Sequence, residues 1–325
     1  MGLGNYANSE LRPALRETEH CHLAGVVTGS SRKGLGWSRR YGFPESSIYH
    51  YDDMEKMAEN PTIDIVYVVT PNALHAEHCI AAAKAGKHVI CEKPFTISVA
   101  EAEAVIAACD SSGVKLSLGY RLHFDPYHEV LRSMVREGGA GQFHEMFGDL
   151  SFTLQGQAWR TSKALAGGGP LMDLGVYVIQ EACMATGEQS PISVKARELP
   201  KKRPENFVDV EESIEWEMEF PQGEICRGRT SYNASGNHFR AESDSAWFAM
   251  DPAFTPRGLA GATHEGPLSF PPLRQQALQM DDFANCILED RESRVGGAMG
   301  RRDMKIIEAI YRSAETGRKI QLNWS

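Results

Sequence analysis

The chain of 325 residues predicts an α/β protein with two domains. In its first third, short apolar runs alternate with helical patterns, which is typical of βαβ units in a parallel sheet. From about residue 191 to 252 the chain is mostly strand-like, and the alternation within 208–220 indicates a sheet with one solvent-facing side. Because the pattern changes after Tyr120, we place the domains at residues 1–120 and 121–325.

In the first domain we predict strands and helices in turn. A helix rich in alanine ends near Gly86, and a second begins at Ser98, where Glu101 completes a capping box. The predicted strands are 23–28, 65–70, 88–91 and 115–119, and the predicted helices are 73–85 and 98–109.

In the second domain the pattern predicts a mixture of helices and a larger sheet. Three glycines, Gly167 to Gly169, introduce one of the helices, and residues 253–272 are rich in proline and glycine and predict a loop. The other predicted helices are 126–137, 274–289 and 300–316. Residues 143–154 are predicted to be extended. The predicted strands are 192–197, 208–220, 224–232 and 246–250, and a short tail follows at 320–322.

Composition narrows the function to small-molecule chemistry. The chain is 42% hydrophobic with a formal charge of -9, which argues against nucleic acid as a partner. It lacks a run of about 18 apolar residues and a secretory leader, so we expect no membrane partner and a cytoplasmic protein. Periplasmic export is the alternative if the natural chain starts earlier. Seven scattered cysteines indicate free thiols.

The chain opens on a glycine motif. Gly2-Leu3-Gly4-Asn5-Tyr6-Ala7 matches Gly-x-Gly-x-x-Ala, in which small residues let the backbone approach a pyrophosphate at a helix N-terminus. This is the fingerprint of a Rossmann dinucleotide-binding domain. The strand that should precede it is apparently missing, so we expect either a start assigned too late or a compromised domain.

The end of the strand at 23–28 bears on the choice of cofactor. An NAD-specific enzyme places an acid there for the ribose hydroxyls, whereas this chain has Thr28-Gly29-Ser30-Ser31-Arg32-Lys33. Hydroxyls and two cations suit a 2′-phosphate, which favours NADP over NAD. A solvated turn before a basic helix face is the alternative.

Two further segments lie where strands of the sheet end, at the edge that binds ligands in such sheets. Asn72 is a predicted cofactor contact and helix cap. His75 and His78 have no third ligand nearby, so we predict no metal. In Glu92-Lys93-Pro94, Lys93 could polarise a substrate hydroxyl; the alternative is a surface lysine in a turn.

Asp173 and Tyr177 follow the glycine cluster, four residues apart. A helix that starts after the glycines would place both side chains on one face, where Tyr177 could donate and accept a proton. The alternative is an aspartate near a helix N-terminus and a tyrosine that simply packs.

Taken in order, these motifs resemble the glucose-fructose oxidoreductase, inositol dehydrogenase and rhizopine-catabolism family, called Gfo/Idh/MocA. The resemblance covers 2–324 and is nearest the branch with glucose-fructose oxidoreductase and other aldose oxidoreductases. It rests on His75-Ala76-Glu77, Ala85-Gly86-Lys87-His88-Val89, Cys91-Glu92-Lys93-Pro94, Gly119-Tyr120-Arg121, Asp125-Pro126, Trp159-Arg160, the glycine cluster, Leu171-Met172-Asp173 and Tyr177.

The resemblance implies a Rossmann domain to about Tyr120, then an α/β domain with an open, mostly antiparallel sheet. It implies that Lys93 and Tyr177 handle the proton and that Asp173 orients the sugar. The cofactor-lining residues that it implies are Gly2, Gly4, Tyr6, Ala7, Thr28, Gly29, Lys33, Tyr51, Asn72, His75, Glu92, Lys93, Arg121, Trp159 and Arg160.

The resemblance also implies the reaction. A hydride would pass from the C1 hydroxyl of a cyclic aldose to NADP, giving a lactone, and a second sugar could take the hydride back. A homodimer or homotetramer is expected. The alternatives are an NADPH-dependent ketosugar reductase, a dihydrodiol or xylose dehydrogenase, and a non-catalytic sugar or cofactor sensor.

Overall fold

The computed structural model describes residues 1–138, 140–156 and 158–324. The chain forms two compact units. The first contains Met1–Arg121 and Arg274–Arg301, and the second contains Leu122–Leu273 and the residues from Arg302 onward. The predicted fold class is confirmed, since a Rossmann-type unit with parallel strands accompanies a unit with a mostly antiparallel sheet. The domain assignment at residues 1–120 and 121–325 stays a prediction.

The strands of the first unit are parallel but form two separate sheets. One sheet pairs β1 with β2, and the other has the order β3-β4-β5. The strands are β1 (Val26–Val27), β2 (Ile48–Tyr49), β3 (Ile65–Val68), β4 (His88–Cys91) and β5 (Leu116–Leu118). The predicted strand at 23–28 is wrong in extent, because only two of its residues are paired. The strand β2 was not predicted.

Helices flank these strands. The first, α1, begins as a π-helical turn (Ala7–Leu11) and continues as Arg12–Ala14. The others are α2 (Ser31–Tyr41), α3 (His75–Lys84), α4 (Val99–Ser112) and α8 (Gln275–Leu288). There are also 3₁₀ turns at Glu45–Ser47, Tyr51–Glu59 and Asn72–Leu74. At the start of α4, Ser98 Oγ accepts from the Glu101 amide at 3.2 Å, as predicted. The second contact differs from the predicted capping box. Glu101 Oε2 accepts from the amide of Ile97, the residue before the cap, at 3.2 Å.

In the second unit, nine strands of the described chain form one sheet in the order β13-β12-β11-β10-β6-β9-β8-β7-β14. Neighbours are antiparallel except β6 and β9. The strands are β6 (Glu145–Ser151), β7 (Ser193–Glu198), β8 (Ser213–Glu219), β9 (Ile225–Ser231), β10 (Gly236–Glu242), β11 (Trp247–Met250), β12 (Gly261–Thr263), β13 (Gly266–Leu268) and β14 (Ile320–Gln321). The loop predicted at 253–272 is wrong in part, since β12 and β13 form a hairpin there, and β10 was not predicted.

The helices of this unit are α5 (Pro126–Glu137), α6 (Lys163–Ala166), α7 (Val176–Ala185) and α9 (Gly297–Thr316, which starts in the first unit), with 3₁₀ turns at Arg121–Phe124 and Trp159–Thr161. The predicted helix at 126–137 is confirmed, with Asp125 Oδ1 accepting from the Tyr127 amide as N-cap.

One face of the large sheet packs against α7. In β8, Ile214, Trp216 and Met218 are buried, and the alternate residues are half-buried, which confirms the predicted alternation. A Cβ at Gly148 in β6 would lie 2.7 Å from Val178 in α7, so glycine allows this close approach. Within the described chain, every helix is too short or too polar to cross a lipid bilayer.

Candidate active site

The glycine motif forms a tight loop at the start of α1. Gly2 has φ +83°, and a Cβ there would lie 2.5 Å from the carbonyl oxygen of Val69. Gly4 is exposed, and a Cβ at this position would meet no atom within 4 Å. The amide of Asn8 donates to the Gly4 carbonyl at 3.2 Å. The loop therefore leaves open space at a helix N-terminus, as a pyrophosphate would require.

Tyr6 and Ala7 follow in the same helix. Ala7 is buried. The Tyr6 hydroxyl accepts from Gln276 Nε2 in α8 at 3.3 Å, and it also hydrogen-bonds Glu92. Tyr6 thus connects the glycine loop to the end of β4.

The loop after β1 and the start of α2 contain three of the predicted cofactor residues, and a fourth, Tyr51, packs beside them from the turn after β2. Thr28 is buried and its Oγ1 accepts from the Ser30 amide at 3.2 Å, and a Cβ at Gly29 would lie 3.4 Å from the Tyr51 ring. Ser30 Oγ caps α2 by accepting from the Lys33 amide at 3.4 Å. Lys33, like its neighbour Arg32, is exposed. Two exposed cations at a helix N-terminus suit a phosphate group.

The segment after β3 is held by a histidine. The Nδ1 of His75 lies 2.9 Å from the Pro94 carbonyl oxygen, and its Nε2 lies 2.9 Å from that of Thr70. Burial lowers the pKa of His75. Asn72 is buried, but it begins a 3₁₀ turn whose N-cap is Pro71, so the predicted role of Asn72 as helix cap is wrong.

The segment after β4 is built on a buried carboxylate. Glu92 accepts from the Tyr67 hydroxyl at 2.8 Å and from the Lys93 amide at 3.1 Å, and burial raises the pKa of Glu92. A Cβ at Gly119 would lie 2.8 Å from the Glu92 carboxylate. The Lys93–Pro94 peptide bond is cis. These contacts position Lys93, which is half-buried.

Arg121, at the end of the first unit, is also fixed in place. It is buried, and its Nη1 donates to Gln275 Oε1 in α8 at 2.5 Å.

In the second unit, Asp173 is fixed by two donors. Its Oδ2 accepts from Arg160 Nε and from the Tyr232 hydroxyl, each at 2.9 Å. The Arg160 guanidinium also stacks on the Trp159 ring, 4.6 Å from its centroid. Tyr232 is fully buried, and burial together with the Asp173 carboxylate raises the pKa of Tyr232 well above its ordinary value. Asp173, Arg160 and Trp159 therefore form one cluster with Tyr232.

The glycines before Asp173 wrap around another carboxylate. The amides of Gly169 and Leu171 donate to Glu211 at 2.9 and 3.0 Å, and the Tyr311 hydroxyl donates to it at 2.9 Å. A Cβ at Gly168 would lie 2.0 Å from the Tyr311 hydroxyl. Burial raises the pKa of Glu211. Glu211 thus anchors the turn from which the helix of Asp173 begins.

The helix itself differs from the prediction. Asp173 lies in a π-helical turn (Leu171–Gly175), and Tyr177 lies in the first turn of α7, so the helix after the glycines begins with a wider turn than a regular α-helix. The placement of both side chains on one face stays a prediction. Tyr177 is half-buried, and its ring centroid lies 6.1 Å from that of Phe254. π-helical turns often occur at functional sites.

Sequence reasoning missed four residues that shape these clusters: Tyr67, Glu211, Tyr232 and Tyr311. Tyr232 ends a predicted strand and Tyr67 lies within one, so their patterns indicated packing only. Glu211 and Glu212 stand as acidic residues inside a strand-like run, which is the one local signal for a buried anchor.

Two family models match the chain. A family model described as "Oxidoreductase family, NAD-binding Rossmann fold" (GFO_IDH_MocA) matches residues 1–120, and a "GFO/IDH/MocA C-terminal domain" model matches residues 128–248.

Among solved structures, an aldose-aldose oxidoreductase from Caulobacter crescentus is 39% identical with a TM-score of 0.96, covering 99% of this chain and 98% of that one. The NADP(+)-dependent D-xylose 1-dehydrogenase of Haloarcula marismortui is 26% identical, covering 99% of this chain and 92% of its own length. D-xylose 1-dehydrogenase (NADP(+)) 2 of Haloferax volcanii is 27% identical over 99% and 98%.

Proposed function

Because the chain belongs to the Gfo/Idh/MocA family of oxidoreductases, we propose that it oxidises the C1 hydroxyl of a cyclic aldose to a lactone with NADP. The observation that carries this proposal is the 39% identity, over 99% of the chain, to an aldose-aldose oxidoreductase. That relative also supports a second aldose as the group that takes the hydride back.

The first unit fits NADP by its own residues. Open space at Gly4 suits the pyrophosphate, and exposed Lys33 and Arg32 suit a 2′-phosphate. The family resemblance assigns further residues to the cofactor: Gly2, Tyr6, Ala7, Thr28, Gly29, Tyr51, Asn72, His75, Glu92 and Arg121 in the first unit, and Trp159 and Arg160 in the second.

Three side chains of this chain would carry the chemistry. Tyr177 accepts the proton of the C1 hydroxyl, and the Lys93 ammonium favours the transient alkoxide by its positive charge. Asp173 orients the sugar, since a carboxylate held by Arg160 and Tyr232 has little freedom to turn. The bound nicotinamide supplies the hydride acceptor.

The test is product analysis with aldoses deuterated at C1. Purified protein with NADP is given one labelled aldose and one unlabelled aldose. Transfer between sugars predicts a lactone from the first and a polyol with deuterium at C1 from the second, without accumulation of NADPH. Protein that binds NADP but converts none of a broad aldose panel would contradict the proposal.

A simple xylose-type dehydrogenase is the second candidate, favoured by the two full-length relatives that are NADP(+)-dependent D-xylose 1-dehydrogenases. It predicts NADPH accumulation in proportion to lactone, with no labelled polyol. The same assay therefore separates the two reactions.

We further propose a homodimer or homotetramer. The sheet of the second unit supports it: Phe147 in β6 is 42% exposed and stacks on His238 in β10, and Arg227 bridges Glu217 and Glu145 across neighbouring strands. An ordered face with an exposed aromatic side chain suits self-association. Light scattering during size-exclusion chromatography measures the mass, and a monomer at micromolar concentration would refute this proposal.

A further inference from the structure

Two glutamines of α8 are buried and lie about one helical turn apart. Gln276 is 2% exposed, and Gln279 is fully buried. Residues three apart in a helix lie on one face, and the same face carries Met280 and Phe283, which pack in an apolar cluster with Ile90 of β4. Buried amide groups destabilise a fold unless they are hydrogen-bonded. Both glutamines are therefore expected to have partners in the first unit.

Each glutamine begins a short chain of hydrogen bonds that ends at Glu92. Gln279 Nε2 donates to the Tyr67 hydroxyl at 3.2 Å, and that hydroxyl donates to Glu92 Oε1 at 2.8 Å. Gln276 Nε2 donates to the Tyr6 hydroxyl at 3.3 Å, and Tyr6 also hydrogen-bonds Glu92. An ionised carboxylate only accepts, so each phenol proton goes to Glu92 and each phenol oxygen accepts from a glutamine. We call these two paths the glutamine–tyrosine chains.

The amide of Gln279 is satisfied at one end only. Among the residues that the structure describes, Gln279 Oε1 is buried without a hydrogen-bond partner. An unmet buried acceptor destabilises the folded state, whereas an apolar side chain of similar size would avoid that penalty. Stability alone therefore does not favour a glutamine at this position. The donor that Gln279 provides to the Tyr67 hydroxyl is what an apolar residue would lack.

Glu92 connects the glutamine–tyrosine chains to Lys93. Its Oε2 accepts from the Lys93 amide at 3.1 Å, and the nearby Lys93 ammonium favours the charged form of Glu92. Burial raises the pKa of Glu92, whereas the two phenols and the ammonium oppose that rise. The titratable groups that face Glu92 are thus Tyr6 of α1, Tyr67 of β3, Lys93 and the buried thiol of Cys91 at the end of β4.

We propose that the glutamine–tyrosine chains keep the Glu92 carboxylate ionised and fixed in orientation, and that Glu92 in turn positions Lys93. Glu92 then holds the Lys93 main chain by one hydrogen bond and serves as the counter-charge of its ammonium. Tyr67 and Gln279 are positioning residues, since both act through Glu92. This inference rests on the proposed function, because it extends the role given there to Lys93.

The first measurement follows the ionisation of Glu92 without catalysis. Protein labelled with ¹³C at the glutamate carboxyl carbons is titrated by NMR, and Glu92→Gln identifies the Glu92 signal. Tyr67→Phe should raise the pH midpoint of Glu92 by at least about one pH unit, because a donor to the charged form is lost. Gln279→Met should raise it less, since it removes only the donor behind Tyr67. Tyr49→Phe, which removes another buried hydroxyl of the first unit, should leave it unchanged.

The second measurement is the pH profile of turnover. The acidic limb of kcat/KM should move up with the Glu92 midpoint in Tyr67→Phe, and the loss near pH 7 should fall on kcat rather than on KM. Gln279→Met should change the profile in the same direction without lowering Tm, and it replaces Tyr67→Phe if that variant does not fold. A structural residue would lower Tm and leave the acidic limb in place.

Three outcomes would overturn the inference. They are an unchanged Glu92 midpoint in Tyr67→Phe and Gln279→Met, a raised midpoint without a matching move of the acidic limb, and a lower Tm as the only effect. Absence of aldose turnover in the unsubstituted protein would instead contradict the proposed function. The titration alone would then decide whether the glutamine–tyrosine chains keep Glu92 ionised.

Discussion

Apolar strand-forming segments of the two units differ in paired length and in the number of neighbouring strands. In the second unit, β8 has a neighbour on each side and is paired over seven residues. In the first unit, the apolar segment 23–28 has a neighbour on one side only, and its paired part shrinks to Val26–Val27. For these two segments, the paired length follows the number of neighbouring strands as well as the side-chain pattern. The Asp173 cluster lies beside one continuous sheet, whereas the glycine loop lies beside two separate small sheets.

The largest effect is expected from removing one proposed catalytic group in each unit. Lys93→Met and Tyr177→Phe should each lower kcat by about 10²- to 10⁴-fold, because proton handling in the transition state is lost. NADP should still bind to both variants, with an affinity within about twofold in Tyr177→Phe. Steady-state kinetics and cofactor fluorescence titration measure the two quantities, with Lys84→Met and Tyr127→Phe as matched controls. Normal turnover in one variant would exclude the substituted residue from the catalytic mechanism.

The next effect concerns pH and the first unit. Below pH 8 the unfolded chain protonates its α-amine, whereas the folded chain does so only near pH 5. Protonation therefore favours unfolding, and the first unit should lose up to a few kcal/mol as the pH falls from 8 to 5. Amide exchange of peptides that cover β3 measures this loss. An N-acetylated chain should not show it, and an identical loss in the acetylated chain would assign the effect to other groups.

The opposite pH dependence is expected in the second unit. His128 is buried between Glu181 Oε1 at 3.3 Å and Asp125 Oδ1 at 3.4 Å. Burial opposes the charged ring, but these carboxylates outweigh it and raise the pKa of His128 to about 9. Its stabilisation is complete below about pH 6.5 and is lost as the pH rises to about 9. Exchange of α5 and α7 peptides should speed up over this range, and His128→Asn should remove the slope.

A smaller effect is expected from the anchor of the glycine turn. Glu211→Gln places an NH₂ group against backbone donors, so the second unit should lose about 1–3 kcal/mol. Urea unfolding followed by exchange of α7 peptides measures the loss. Glu215→Gln, a half-buried residue of β8, is the matched control. Unchanged protection of α7 would mean that the turn holds its shape without Glu211.

The smallest effect is expected for a hydroxyl that touches Asp173. Tyr232→Phe removes one of the two donors to Oδ2 and leaves Arg160 in place. We expect kcat/KM for the sugar to fall about tenfold, mainly through KM, because the carboxylate is less well oriented. Tyr41→Phe, which removes a hydroxyl that donates to a backbone carbonyl in the first unit, should leave KM unchanged. A fall confined to Tm would give Tyr232 a structural role only.

Much of the fold followed from local pattern. The helix α5 was predictable because Asp125 caps it, Pro126 suits its first turn and its apolar residues recur at helical spacing. Alternation in β8 and the capping hydroxyl of Ser98 are likewise local signals. The hairpin of β12 and β13 was missed because its proline and glycine content is that of a loop.

The residues proposed for the site stand out in the sequence, whereas the contacts that hold them do not. Asp173 and Lys93 stand out in short motifs, but the partners that fix Asp173 and the glycine turn, Tyr232 and Glu211, come from distant parts of the chain. No local periodicity relates such pairs. The π-helical turn that holds Asp173 also has no distinct apolar spacing.

The close contact at Gly168 limits the substitutions that this chain can accept during evolution. A methyl group there would collide with the Tyr311 hydroxyl, and a smaller residue at 311 would relieve the collision only by taking a donor from Glu211. Neither position can accept a substitution on its own without disturbing the turn before Asp173. The two sites are expected to be epistatic, so that relatives with a side chain at the position of Gly168 carry a compensating change at that of Tyr311.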